Sequence, residues 1–127
     1  MAQLLIAEDD NAVRDFARRA MELAGHDVMV AHDGGEAAQL LFSGIHEFDL
    51  LLTDIKMPIM DGIALALRAA RDTPQMPVLL MTGFADQRER ARSLRAIISG
   101  IIQKPFTLEQ ITTAVNEALE KADTSSD

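Results

Sequence analysis

Asp49-Leu50-Leu51-Leu52-Thr53-Asp54 sets three leucines and a threonine in one run between two acids. A strand with one wet face alternates apolar and polar residues, whereas a continuous apolar run has both faces buried. This segment therefore predicts a central strand of a parallel sheet, with helices above and below it. The flanking sequence repeats the pattern. Upstream, Gln3-Leu4-Leu5-Ile6-Ala7 is a second short apolar run, stopped by acids. Helical spacing follows at Val13, Phe16, Ala17, Ala20 and Ala24, and Gly25 suits the C′ position that ends a helix. Residues 27–31 read as a strand, His32-Asp33-Gly34-Gly35 as a turn and residues 36–43 as a helix. Downstream of Asp54 come a helix over 62–71, a strand over 77–82, a charged helix over 85–95 and a strand over 100–104. A last helix opens at Thr107, where Thr107 and Gln110 have capping-box spacing; its apolar stripe is Leu108, Ile111, Val115 and Leu119.

Five such β/α units predict an α/β fold: a doubly wound, five-stranded parallel sheet in the order 2-1-3-4-5. One domain is expected over residues 1–121, followed by a flexible tail over 122–127 that is rich in Ser and Asp. Composition narrows the function. The chain has 127 residues, five Phe and neither Trp nor Tyr, so the core must be aliphatic and no aromatic platform for bases is available. A net charge of −8 opposes direct nucleic-acid binding, which needs Lys and Arg to displace counterions. Arg88, Arg90, Arg92 and Arg95 cluster, but Asp86 and Glu89 are mixed among them, and the group reads as a solvated helix face, with a partner surface as the second reading. Without cysteine there is no disulfide, thiolate metal site or thiol catalysis. No apolar stretch approaches a membrane span and no basic leader precedes the first strand, so no membrane contact and a cytoplasmic location are expected. His26, His32 and His46 lie in or beside turns without metal-ligand spacing and read as solvent-exposed loop residues.

In doubly wound sheets the ligand site lies at the carboxyl ends of the strands, where the strand order reverses. The first strand ends in Glu8-Asp9-Asp10, the third in Asp54, the fourth in Thr82 and the fifth in Lys104. Carboxylates gathered there without cations would repel, and a hard, oxygen-seeking ion accounts for them. Mg²⁺ suits the set, because it takes one or two carboxylates and completes its shell with water and phosphate. A lone lysine acts as a point-charge phosphate binder, and a threonine hydroxyl donates to a phosphoryl oxygen. Acids, hydroxyl and lysine together describe a site for phosphoryl transfer, where positioning and charge neutralisation supply most of the catalysis.

Ala7-Glu8-Asp9-Asp10, Thr53-Asp54-Ile55-Lys56-Met57-Pro58 with Met60-Asp61-Gly62, Met81-Thr82-Gly83 and Lys104-Pro105-Phe106 occur in this order, each after its own strand. From about Gln3 to Leu119 the chain resembles the bacterial response-regulator receiver domain, the CheY-like family. The resemblance implies a single-domain regulator whose phosphoacceptor is Asp54. It implies Glu8 and Asp9 as the acidic pair, Asp9 being the more direct Mg²⁺ ligand, with Asp54 and the backbone carbonyl of Lys56 also on the metal. Thr82 corresponds to the switch hydroxyl and Lys104 to the phosphate-binding lysine, and the Lys104–Pro105 bond to one that is commonly cis. Asp10 falls outside the family's metal shell, and capping the first helix is its other reading. The implied donor is a sensor histidine kinase or a histidine phosphotransfer protein. The implied output is a downstream protein, bound through the fourth helix, fifth strand and last helix. On this reading the chain is no enzyme, although it supports its own phosphotransfer and autodephosphorylation.

Two departures fall in that output region. Ile101 stands three residues before the lysine, where the family often carries Tyr or Phe, and Ile97-Ile98-Ser99-Gly100 replaces a frequent Gly-Ala pair. Phe84 and Phe106 flank the site and are candidates for the missing ring. Other classes are weaker. A Mg²⁺-dependent phosphatase with an aspartyl-phosphate intermediate needs a second acid two residues after the nucleophile, where Lys56 stands. A receiver-shaped adaptor that is never phosphorylated has no need of the full acid–Thr–Lys set. A flavodoxin-like cofactor binder needs a hydroxyl- and glycine-rich loop that this chain lacks.

Overall fold

The computed structural model describes residues 2–83 and 85–125. Strands β1 (Gln3–Ala7), β2 (Asp27–Ala31), β3 (Leu50–Asp54), β4 (Val78–Thr82) and β5 (Gly100–Gln103) alternate with helices α1 (Asn11–Leu23), α2 (Gly34–Phe42), α3 (Gly62–Asp72), α4 (Ala85–Arg92) and α5 (Leu108–Ser125). The strands pair in parallel in the order β2-β1-β3-β4-β5, as the sequence predicted.

The leucines of β3 divide between two cores because successive side chains point to opposite faces. Leu51 packs with Leu5, Leu65 and Leu80 on the side of α2 and α3. Leu50 and Leu52 pack with Leu4, Met21, Ile111 and Val115 under α1 and α5. Burying each such leucine contributes about 1.5–3 kcal/mol, so the apolar run is continuous by necessity.

Helix ends follow local chemistry. Asp10 is the N-cap of α1 and accepts the Ala12 and Val13 N–H groups at 2.9 and 3.1 Å, which decides between its two readings. Gly25, with φ 93°, closes the other end: its N–H donates to Glu22 and that of His26 to Met21. The α5 capping box forms as expected, Gln110 N–H donating to Thr107 Oγ1 at 3.1 Å and Thr107 N–H to Gln110 Oε1 at 2.9 Å.

Four expectations change. α2 begins at Gly34 rather than 36, because Asp33 caps it by accepting the Glu36 N–H at 2.8 Å. α4 stops at Arg92 rather than 95; Ser93 Oγ donates to the Arg90 carbonyl at 2.6 Å, and tight turns follow through Ile97. The expected loose tail is helical through Ser125, since nothing after Thr107 supplies a Gly or Pro stop; residues 126 and 127 lie outside the described residues. Leu108 and Phe16, assigned to apolar stripes, are exposed, and Phe16 instead sets its ring 5.9 Å from that of Phe106. Among the described residues no helix is long and apolar enough to cross a membrane.

Candidate functional site

Sheet register alone assembles the site. Ala7 lies beside Thr53, so the next residues, Glu8 and Asp54, are neighbours. Asp54 lies beside Met81, which puts Thr82 one step further along β4. Thr82 lies beside Gln103, so Lys104 follows at the same edge. Backbone bonds continue past the strand ends: Glu8 N–H donates to Ala31 and Lys104 N–H to Thr82, at 3.1 and 2.7 Å.

The side chains converge as the backbone directs. Glu8, Asp9 and Asp54 each offer a carboxylate oxygen, and these oxygens lie within 4.8 Å of one another. Lys104 Nζ is hydrogen-bonded to Glu8 Oε1 and lies 3.2 Å from Asp54 Oδ1. Ile55 N–H donates to the same Asp54 oxygen at 3.0 Å, and Asp10 N–H to Glu8 Oε2 at 3.1 Å. Glu8 is fully buried, Asp54 is 6% exposed and Asp9 faces solvent, so the acids form a gradient from core to mouth.

Burial dominates the electrostatics of Glu8. Loss of water pushes its pKa from 4.5 up to about 7, against the Lys104 hydrogen bond that lowers it and with the Asp54 charge that raises it further. Burial also works against the charged form of Lys104, but the Glu8 hydrogen bond and the Asp54 charge outweigh it and hold the ammonium above its usual pKa. The pair is thus unequal: the lysine stays charged, while its buried partner is held close to protonation. Among the described residues, Thr82 Oγ1 is the buried side-chain oxygen without a hydrogen-bond partner. A buried hydroxyl left unpaired at a strand end marks a place where an acceptor can arrive.

The donor set fits a hard divalent cation: three carboxylate oxygens close together, one of them on the solvent-facing Asp9. Lys56 lies two residues beyond Asp54 with an exposed side chain. Its loop is clamped by two close approaches. A Cβ on Gly62 would lie 2.1 Å from the Asp54 carbonyl oxygen, and one on Gly34 would lie 1.6 Å from that of Met60. Sequence reasoning read Gly34 only as part of a turn; its signal was the Asp33-Gly34 pair, whose role as cap and contact depends on long-range packing.

The remaining candidates are more scattered. Ile101 is half-buried against the α2–α3 core, Phe106 is half-buried on the opposite side, and Phe84 lies outside the described residues. None of the histidines joins the acid cluster; His26 and His46 are half-buried rather than solvent-exposed, and His32 pairs with Glu36 at 3.1 Å. Arg90, assigned to a solvated face, reaches Asp61 Oδ2 at 3.3 Å.

The family model of the response regulator receiver domain matches residues 4–116. The chain is a response-regulator receiver domain. This receiver is 38% identical over 119 residues to the response regulator receiver protein CpdR of Brucella abortus, covering 94% of this chain and 98% of that one. It is 36% identical over 123 residues to sensor kinase CckA of the same organism, spanning 96% of this chain but 13% of the kinase. The transcriptional regulatory protein CpxR of Escherichia coli is 32% identical over 122 residues, and the receiver spans 51% of it. The fold superposes on a receiver domain protein of Clostridium thermocellum with a TM-score of 0.88 at 22% identity, covering 98% of each chain. A CheY-like receiver domain protein of Methanospirillum hungatei gives 0.87 at 29% identity, again with 98% of each covered.

Proposed function

We propose that this receiver domain takes a phosphoryl group onto Asp54 from a phosphohistidine donor, in a Mg²⁺-dependent reaction, and that the product changes its affinity for another protein. The observation that carries the reading is the setting of Asp54: nearly buried, between two further carboxylates and the Lys104 ammonium at 3.2 Å. An Asp54 oxygen forms the new O–P bond as the P–N bond to the donor imidazole breaks. The electron pair stays with that nitrogen, which becomes imidazole once it takes up a proton. Lys104 is poised to exchange its carboxylate partners for phosphoryl oxygens, and the Thr82 hydroxyl to donate to one of them. Asp9, Asp54 and the Lys56 carbonyl are the residues to hold Mg²⁺, with Glu8 beside them; the bound ion supplies further neutralisation of phosphoryl charge.

The likeness to CpdR spans nearly the full length of both chains and supports a regulator that acts without a fused output domain. The donor is then a sensor histidine kinase or a histidine phosphotransfer protein, and the target is a separate protein. A cytoplasmic location belongs to the same reading. Asp54→Asn tests it. Intact-mass measurement after acetyl phosphate and Mg²⁺ should show one phosphoryl group on the wild type and none on the variant. The variant should fold, and be slightly more stable without metal, because the amide removes one of three crowded carboxylates. Labelling of Asp54→Asn at the wild-type rate and stoichiometry would end the proposal.

A further inference from the structure

Gln87 stands apart. The buried polar or charged side chains among the described residues are Glu8, Thr53, Asp54 and Thr82, all on β3 or at strand ends of the site, and Gln87, which lies on a helix. That helix is α4, otherwise the most polar segment of the fold. The Gln87 Oε1 accepts the Gly83 N–H at 2.7 Å. Gly83 directly follows Thr82, whose buried hydroxyl has no hydrogen-bond partner among the described residues. On the other side, the Thr82 carbonyl is fixed by the Lys104 N–H at 2.7 Å. Thr82 is therefore held on its strand side, and among the described residues a side-chain hydrogen bond links the next residue, Gly83, to Gln87 of α4. Ile101, half-buried against the core, has no polar side-chain group with which to bond to Thr82.

We propose that Gln87 is the positioning residue that carries a change at Thr82 into α4, through the Gly83 N–H···Oε1 hydrogen bond. The inference rests on the phosphoacceptor reading of Asp54 and specifies how that site is read out. An acceptor oxygen arriving at Asp54 gives the Thr82 hydroxyl its missing partner. Turning towards it shifts the Thr82–Gly83 peptide, and the N–H of that peptide is anchored on Gln87. A short hydrogen bond tolerates little stretching, so the first turn of α4 follows. A glutamine near the start of a helix also acts as a cap by reaching back to an earlier N–H. Capping alone stabilises α4 in both states and transmits nothing, which separates the two roles by experiment.

The test compares the wild type, Gln87→Ala and Gln87→Glu, each with Mg²⁺, before and after beryllofluoride. Phosphoryl incorporation from acetyl phosphate is measured in parallel by intact mass. Gln87→Ala should be labelled at the wild-type rate and keep the amide-shift response of residues 54–62. Its response over residues 85–92 should fall about fivefold, the factor that one neutral hydrogen bond contributes. Gln87→Glu keeps an acceptor at the same reach and should recover most of that response. A full α4 response in Gln87→Ala overturns the inference. So does a Gln87→Glu variant as defective as Gln87→Ala, or an α4 already melted in Gln87→Ala before beryllofluoride, which would make Gln87 a cap only. A wild type that takes no label removes the phosphoacceptor reading and this inference with it, a pattern distinct from a labelled wild type with an indifferent Gln87→Ala.

Discussion

Glu8 makes a measurable difference at the scale of a single residue. Its folded carboxyl keeps a proton between pH 4.5 and about 7, where the unfolded chain has released it. The folded state therefore binds more protons in that window, and stability supplied by the protonated acid is lost as pH rises through it. In metal-free buffer, urea titrations should show Glu8→Gln gaining on the wild type as pH rises from 4.5 to 7. A gap that stays flat across that range removes the raised carboxyl from the account. Ile59 is the second residue under tension. It is β-branched yet has φ 72°, and the Met60 N–H donates back to Pro58 at 2.8 Å, closing a three-residue turn around it. Relief of left-handed strain outweighs the added chain entropy of glycine, so Ile59→Gly should stabilise by up to about 1 kcal/mol. A lower urea midpoint for that variant would show that the turn imposes no strain.

Elements were legible in the sequence wherever burial dictates the residue pattern. β3 had to be apolar on both faces, and Leu50, Leu51 and Leu52 announce it; the same holds for β1 and β4. The strand ends were legible for the same reason, because a polar residue directly after a buried run stands out. Pattern failed where the deciding contact is local and polar or distant in the chain. Ser93 ends α4 through a hydroxyl bond that no periodicity signals, and Gly34 enters α2 because Met60, 26 positions later, leaves no room for a side chain. Nothing in the sequence sets Gln87 apart from the other polar residues of α4. The gathering of Glu8, Asp9, Asp54, Thr82 and Lys104 at one edge of the sheet was anticipated, but not that Glu8 would be the nearer partner of Lys104. The link between β4 and α4 also yields a prediction. On the proposed reading Thr82 donates a hydrogen bond only once Asp54 is phosphorylated, and bonds to charged groups contribute about 1.5–3 kcal/mol. Thr82→Ala should thus accept label at Asp54 while its α4 response to beryllofluoride drops by roughly ten- to a hundredfold in equilibrium population. An unaltered amide-shift pattern would transfer the switching role to another residue.

For the whole molecule, a cation that binds only the assembled carboxylates must raise the stability of the fold. At ten times its dissociation constant the increment is about 1.4 kcal/mol. Wild-type protein should gain that stability in Mg²⁺, and Asp9→Ala, with its solvent-facing ligand removed, should gain little. Equal midpoint shifts in the two proteins would place the ion elsewhere. A last consequence belongs to the contact between Lys104 and Glu8, whose positions in the chain are 96 residues apart. Contacts between such distant residues wait for most of the intervening chain to be ordered, since the entropy of closing so long a loop is offset only by the structure inside it. The pair should therefore close late in folding, and open early if β5, a four-residue edge strand, detaches. On the proposed function, competence to accept a phosphoryl group should then belong to the folded chain: a nascent or partly unfolded copy would carry Asp54 but stay silent to a donor.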